Sequence, residues 1–519
     1  MNVGEKHLNQ NNKVLLWLDA GPYAYLHYAF AIFLAELGNY DFYGLVVTKK
    51  DYEFFTKQKR IRFQQLFYYP DCYINKKTKP DVDYLVHIEK KYGLDLWTLA
   101  YTDRSFYEFI KPERVFHKFS RDEILNILEA SIRFFVEMLS AIKPSFIVMQ
   151  TPGENVANLL LYKIANSLGI KTLMLNSSRL YNMMVLSDNE LSPEIGRRFS
   201  ELKKNSDKVE PSAYGKDFLQ SMDPTLNLEL PTFTYNETMS SKIKRYVGSI
   251  FSEREPLYQS RGKTKLKMLE WKRNISRITN ERKEFLDNNS YLALPGNEKF
   301  IYFPLHVQPE VSTLVHAPFY TDQVAVIRNI AKSLPVEYLL YVKEHPAMKG
   351  KNWRPVSFYK EIIEMPNVRL IHPSVDSKNL IEKSDAVITI TGTVGLEALF
   401  YRKPVLVFAD VFYDCLSMVR KVSNFSELPS LIKKSLEDFK YDPQELSCLL
   451  KAIELEAIRV GYYQLQEDAK LVSSVRMRHD LMRTEMEFSK FIDKHKNDLR
   501  LIAEAYHSKS VAMKKLAFD

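Results

Sequence analysis

Between Phe300 and Asp410, short apolar runs and amphipathic stretches alternate in an order that few architectures admit. Phe300–Phe303, Glu337–Lys343, Val368–Ile371, Ala386–Ile390 and Val405–Phe408 have strand length and are apolar nearly throughout. Asp322–Ser333, Phe358–Ile363, Lys378–Lys383 and Val394–Tyr401 carry helical spacing between them. A strand that is apolar on both faces has to be covered on both, so this rhythm predicts a parallel sheet between helical layers. In such α/β sheets ligands bind beyond the carboxyl ends of the strands.

Polar residues gather at those ends. His306, Gln308, Glu310 and Ser312 follow the first strand, and Lys343, Glu344, His345 and Pro346 follow the second. Thr391, Gly392 and Thr393 follow the fourth, with Glu397 one helical turn further on. Gly392 lets backbone approach a ligand, while the two hydroxyls and the first helical amides can donate to phosphate oxygens. Glu397 is placed to reach a ribose hydroxyl. Lys343 and His345 bring positive or protonatable donors, which a leaving phosphate needs as a glycosidic bond breaks. Each feature alone has a plain structural explanation: a helix cap, a strand end with its turn, a satisfied histidine at His306 or His316. Their coincidence at the ends of one sheet favours a ligand site.

These motifs resemble a known family. HVQPEVST (306–313), TDQ (321–323), KEHP (343–346) and the run TGTVGLEAL…KPVLVF (391–408) are similar to bacterial capsule and surface polysaccharide biosynthesis proteins. That family comprises glycosyltransferases of the two-Rossmann type, GT-B, and includes transferases using CMP-linked 3-deoxy-octulosonate. The His-Pro pair before a hydroxyl-rich helix start is also similar to bacterial sialyltransferases, although Thr-Gly-Thr stands here in place of paired serines. The resemblance implies that His345, Pro346, Thr391 and Thr393 hold the nucleotide of a donor sugar.

The amino-terminal part reads as a second Rossmann-like unit. Lys13–Leu18 is a strand, Tyr25–Leu37 a helix and Phe42–Val47 a strand. Without G-x-G-x-x-G, a dinucleotide is not indicated. Residues 50–118 look less regular. Ser120 and Glu123 form a capping box that opens a helix over Arg121–Ile142. Phe146–Met149 and Thr172–Leu175 are further strands. A transferase needs a group to take the proton of the acceptor hydroxyl, and in GT-B enzymes it usually comes from this half. Glu154 is the first candidate, Asp19 the second and His27 the third, with His345 a further catalytic candidate on the donor side. Arg179 is placed to bind an anionic acceptor or a donor carboxylate, with a surface salt bridge as its plain alternative. For Glu154 and Asp19 the plain alternatives are a carboxylate complementing a helix start and a turn cap.

The fold expected is therefore α/β, two Rossmann-like domains with a helical insertion and a helical carboxyl-terminal tail. Its divisions are an acceptor domain at 1–185, a linker or helical insertion at 186–297, a nucleotide-sugar domain at 298–440 and the tail at 441–519. Within the insertion, residues 261–283 form a basic amphipathic helix suited either to an anionic membrane surface or to packing by its apolar side. Residues 493–519 read as a basic end open to fraying, and the GT-B resemblance implies that part of the tail crosses back to the first domain as a terminal helix.

The 519 residues exceed one hydrophobic core. Three scattered cysteines, Cys72, Cys415 and Cys448, fit a reducing cytoplasm and argue against structural zinc. The polar start and the lack of a long apolar run predict neither a signal peptide nor a membrane span. A net charge of +9 suits acidic partners such as a nucleotide sugar, an anionic glycan or a membrane surface. No nucleic-acid-binding signature accompanies it. The expected partners are a nucleotide sugar and a glycan or lipid-linked acceptor, with peripheral contact at the inner face of the membrane. No cofactor is expected beyond the donor as co-substrate, and no metal, because no D-x-D pair stands at a strand end. The alternatives are a CDP-glycerol-type glycerophosphotransferase and a nucleotide-sugar epimerase of the same double-Rossmann plan, with a non-enzymatic interaction module behind them.

Overall fold

The structure is a computed structural model. It describes residues 11–74, 79–106, 116–153, 155–178, 180, 182–205, 258–262, 264–291, 296, 298–348, 354–476 and 481–516. Two sheets organise it.

The first sheet holds β1 (Asn12–Leu18), β2 (Tyr40–Val46), β3 (Phe63–Tyr68), β4 (Phe146–Val148), β5 (Lys171–Ser177) and β6 (Met183–Ser187). β1 to β5 pair in parallel and β6 turns back antiparallel to β5. Successive side chains of β1 divide between two cores, as a pleated strand requires. Leu15 and Trp17 enter one with the helices Arg121–Ile142 and Val156–Ser167. Val14, Leu16 and Leu18 enter the other with the helix Pro22–Leu37. The Ser120–Glu123 capping box forms as the sequence predicts. The stretch 50–118 is more regular than it reads: it holds β3 and the helices Lys49–Thr56, Val82–Tyr92 and Leu96–Thr102. β3 escapes notice because Phe63–Tyr68 carries two glutamines and lies at the sheet edge.

The second sheet holds β7 (Lys299–Pro304), β8 (Tyr338–Lys343), β9 (Val368–Ile371), β10 (Ala386–Thr389), β11 (Val405–Val407) and β12 (Val419–Lys421), in the order β12-β11-β10-β7-β8-β9 and parallel throughout. Its strands also split between two cores. Phe300, Tyr302 and Tyr341 face one, while Ile301, Phe303, Leu340 and Val342 face the other. The architecture is thus α/β with two Rossmann-like lobes.

The tail crosses back to the first lobe as expected, and it stays helical to Leu516 where fraying was expected. β13 (Ala457–Arg459) pairs antiparallel with β6 and becomes an edge of the first sheet. The helices Tyr462–Arg476, Leu481–Lys494 and Lys496–Leu516 then cover one face of that lobe. Leu465, Phe488, Leu499, Ile502 and Tyr506 are buried there against the helix Pro22–Leu37, with Tyr506 stacked on Phe30. The basic segment becomes the helix Lys265–Asn289. Its far end packs on the second lobe through Leu286 and through Phe285 stacked on Tyr359. Its near end touches the first lobe, where Lys267 Nζ donates to the Phe116 carbonyl. The outer face leaves Leu266 74% exposed. Among the described residues no helix is long and apolar enough to cross a membrane.

Candidate active site

The residues after β7 form a braced turn. Asp322 caps the helix Gln323–Lys332 through the Ala325 amide. That fixes Gln323, which clamps the His306 backbone: the His306 amide donates to Gln323 Oε1 at 2.9 Å and Gln323 Nε2 donates to the His306 carbonyl at 3.2 Å. Arg354, fully buried, donates to the same carbonyl, to Gln308 Oε1 at 2.7 Å and to Glu344 Oε2 at 2.9 Å. Glu344 also accepts from Tyr359 Oη and from the His345 amide, both at 2.8 Å. A buried ion pair is tolerated only with such full satisfaction. The central acid of the Lys-Glu-His-Pro run is therefore a bracket tying the loops after β7 and β8 together. Gln308 differs from the expected ligand contact for the same reason: its oxygen faces Arg354 and its Nε2 donates to the Thr321 carbonyl at 2.6 Å.

The brace aims the His306 ring at the loop after β10. The Thr391 amide donates to His306 Nε2 at 3.1 Å, so the ring proton belongs on Nδ1. Nδ1 is buried and has no hydrogen-bond partner among the described residues. Burial, with His345 and Arg354 nearby, lowers the His306 pKa to about 3, so the ring is a neutral donor at pH 7. Gly392 is required here: a Cβ would lie 2.5 Å from Thr389 Oγ1 and 3.3 Å from His306 Nε2. Several donors expected to meet phosphate are occupied. Thr391 Oγ1 donates to the Ser312 carbonyl at 2.9 Å, and the Gly392 amide donates to Thr389 Oγ1 at 3.1 Å. Thr393 differs, since its hydroxyl does not cap the helix Val394–Phe400. That helix has only seven residues, so hydroxyls and side-chain donors count for more here than a long helix dipole.

Lys343 ends β8, is buried, and donates to Ser377 Oγ at 2.7 Å. His345 Nδ1 accepts from the Ala347 amide at 3.1 Å, which leaves Nε2 as an N–H donor. Partial desolvation lowers the His345 pKa, with Lys343 and Arg354 adding to this and Glu344 opposing it. Pro346 opens the short helical turn Pro346–Met348. Glu397 lies near Tyr302 and Lys378, and burial raises its pKa against the pull of Lys378. Glu310 stands at the start of the turn Val311–Leu314 and accepts from Ser312 Oγ at 3.2 Å. The structure thus gathers Lys343, His345, His306 and the Thr391–Thr393 loop along the carboxyl ends of β7, β8 and β10.

In the first lobe, Asp19 ends β1 and meets the residue after β4: Gln150 Nε2 donates to Asp19 Oδ2 at 2.5 Å and the Ala20 amide to Oδ1 at 2.7 Å. Burial raises the Asp19 pKa against these bonds. His27 sits deep in the core, with Nδ1 2.8 Å from the Trp17 carbonyl, so it is structural and not the base candidate the sequence ranked third. Glu154 and Arg179 lie outside the described residues. The lobes meet at a cavity of about 80 Å³ lined by Asn176, Glu190 and Ser192 from one side and by His316, Thr391, Thr393 and Tyr413 from the other. Sequence reasoning passed over Arg354, Glu190 and Asn176. Arg354 follows no strand, and Glu190 falls in a stretch read as the start of a linker.

Residues 224–434 match the family model described as capsule polysaccharide biosynthesis protein. Among curated proteins, FixF of Sinorhizobium fredii is 28% identical over 134 residues, 25% of this chain and 31% of FixF, so the match spans about a third of that relative. Among solved structures, a β-Kdo 2,7 transferase, KpsC of Thermosulfurimonas dismutans, aligns at 12% identity and a TM-score of 0.31, covering 68% of this chain and 88% of that one. A UDP-GlcNAc 2-epimerase from Methanocaldococcus jannaschii aligns at 12% identity and a TM-score of 0.24, covering 85% and 99%. The strand-end motifs that resemble capsule polysaccharide biosynthesis proteins fall inside the matched segment, and over that segment the chain has its family resemblance in the capsule polysaccharide biosynthesis proteins.

Proposed function

We propose that the chain is a glycosyltransferase of the two-Rossmann type, moving a sugar from a nucleotide donor on its second lobe to a surface-polysaccharide acceptor entering between the lobes. The observation that carries this reading is the convergence of Lys343, His345, His306 and Thr393 along the carboxyl ends of parallel strands. In this reading Lys343 supplies the positive charge that meets the phosphate. Neutral His306 and His345 present N–H donors held in place before the ligand arrives, which costs little reorganisation when charge develops on the leaving oxygen. Glu397 receives a ribose hydroxyl. The donor is proposed to be CMP-linked, on the resemblance of the His-Pro motif. Nucleotide sugars need pockets of roughly 300 Å³ or more, so the 80 Å³ cavity corresponds to a shut cleft that parts for loading.

The test is a thermal-shift panel of CMP, CDP, UDP and GDP, followed by mass-spectrometric product analysis with the matching donor sugars. One nucleotide should stabilise the protein, and Lys343→Met should weaken its binding about ten- to a hundredfold, the range for losing a charge-assisted hydrogen bond. Stabilisation by none of the four would overturn the proposal, and a response to CDP-glycerol alone would replace it with glycerophosphate transfer.

A further inference from the structure

One carboxylate on the cavity wall has no part in holding the fold. Glu190 lies in the turn between β6 and the helix Pro193–Asn205. Other groups hold that turn. Asn176 Nδ2 donates to the Asn189 carbonyl at 2.7 Å and to Ser192 Oγ at 2.9 Å, and Thr151 Oγ1 donates to Asn176 Oδ1 at 2.9 Å. The Leu191 amide donates to Asn189 Oδ1 at 2.8 Å. None of these bonds involves the Glu190 carboxyl. Its side chain is 17% exposed, and Oε2 is buried without a hydrogen-bond partner among the described residues. The group facing it is His316 Nε2 of the other lobe, 3.9 Å away. Both line the cavity that also exposes Thr391 and Thr393. Burying a carboxylate without hydrogen bonds costs free energy, and this turn holds its shape without it, so its place on the wall calls for a ligand.

We propose that Glu190 is the catalytic base for the acceptor and that His316 positions it from the opposite lobe. The inference rests on the glycosyltransferase reading above. As the acceptor oxygen bonds to the anomeric carbon, its proton passes to the Glu190 carboxylate. The bond from the anomeric carbon to the phosphate oxygen breaks, and its electron pair leaves with the nucleotide. The proton returns to solvent when the lobes part. Burial raises the Glu190 pKa, with Lys163 opposing, which makes it a stronger base than an exposed glutamate. The charged and titratable groups around it are Lys163 and Tyr162 on the helix Val156–Ser167, Asp188 on its own turn, and His316 and Asp410 across the cavity. Because His316 belongs to the other lobe, base and donor site come together only in the shut cleft, which guards the donor from water in the open one.

The experiment compares wild type with Glu190→Gln, Glu190→Ala and His316→Gln, using whichever donor of the panel wild type transfers. Glu190→Gln should lower kcat by about 10²–10⁴, the usual contribution of a general base, with KM for the donor and the thermal shift by CMP unchanged. Azide or formate should restore part of the Glu190→Ala activity. The acidic limb of the kcat–pH profile should vanish in Glu190→Gln and move in His316→Gln. Glu190→Asp, which keeps the carboxylate, should retain measurable transfer and guards against a folding artefact. A Glu190→Gln kcat within about threefold of wild type overturns the assignment while the transferase reading stands, since no base contribution would then remain. A loss in KM alone, or no rescue by small acids, does the same. Wild type that transfers from no donor removes the underlying reading and this inference with it.

Discussion

Arg354→Met tests the brace behind the site. Arg354 and Glu344 are both fully buried and 2.9 Å apart. The guanidinium also serves Gln308 Oε1 and the His306 carbonyl, and it lies 4.7 Å from the centre of the Phe358 ring. In the variant, Glu344 keeps only Tyr359 Oη and the His345 amide, Gln308 Oε1 loses its Arg354 donor, and the His306 carbonyl keeps only Gln323 Nε2. Removing one partner of a buried pair costs about 3–5 kcal/mol. With a urea m-value of about 2–3 kcal/mol/M, the midpoint for the second lobe should fall by roughly 1–2.5 M. Fluorescence and circular dichroism should be followed together, because two lobes need not unfold as one transition. Arg354→Met with Glu344→Gln should recover at least half the loss, since the orphaned charge is gone. A single-variant loss under about 1 kcal/mol, or a double variant no better than the single, would refute the coupling that a desolvated ion pair requires.

Two other perturbations have clear signs. His306 and His27 have pKa values lowered to about 3 and about 4, so the stability they contribute is complete above about pH 6.5 and lost as pH falls toward those values. Glu190, Glu397 and Asp19 have raised pKa values and act in the opposite sense on acidification. The clean measurement is therefore the difference between wild type and His306→Gln in urea midpoint at pH 7 and pH 5: it should narrow at the lower pH, and a constant gap would refute a neutral buried His306. Gly392→Ala and Gly395→Ala both overpack, the second with its Cβ 2.4 Å from Tyr413 Oη and 3.0 Å from Val405 Cγ1. Each should cost about 1–3 kcal/mol, and Gly392→Ala should also weaken nucleotide binding by displacing the Thr389–His306 contact, read by the same thermal-shift panel.

The second lobe could be read from the chain because its strands are buried on both faces and therefore run apolar without interruption. Boundaries there differ by a residue or two, and only β12, three residues with a charged pair, escaped. The first lobe was harder. β3 lies at an edge and carries polar residues, while β6 and β13 pair antiparallel outside the β-helix-β rhythm. The return of the tail followed from the GT-B resemblance and not from its pattern: its helices are charged on one side, and only their packing on the helix Pro22–Leu37 shows which side is buried. At the site, the polar residues after each strand were visible, but their division of labour was not. Whether Gln308 meets a ligand or Arg354 depends on a partner 46 positions away, which no local pattern encodes. Glu190 stands out only once its Oε2, without a hydrogen-bond partner among the described residues, is seen against the cavity.

The return of β13 to the first sheet, with the helices that follow it, separates the order of synthesis from the order of folding. On the ribosome the first lobe emerges early but lacks β13 at its edge and the helices over one face, so its apolar side stays open while the second lobe is made. The second sheet, whose strands lie between 299 and 421, needs nothing that comes later in the tail to complete its pairing. Vectorial synthesis thus completes the second sheet ahead of the first, and a nascent chain stalled before Ala457 would leave the early lobe for chaperones to hold.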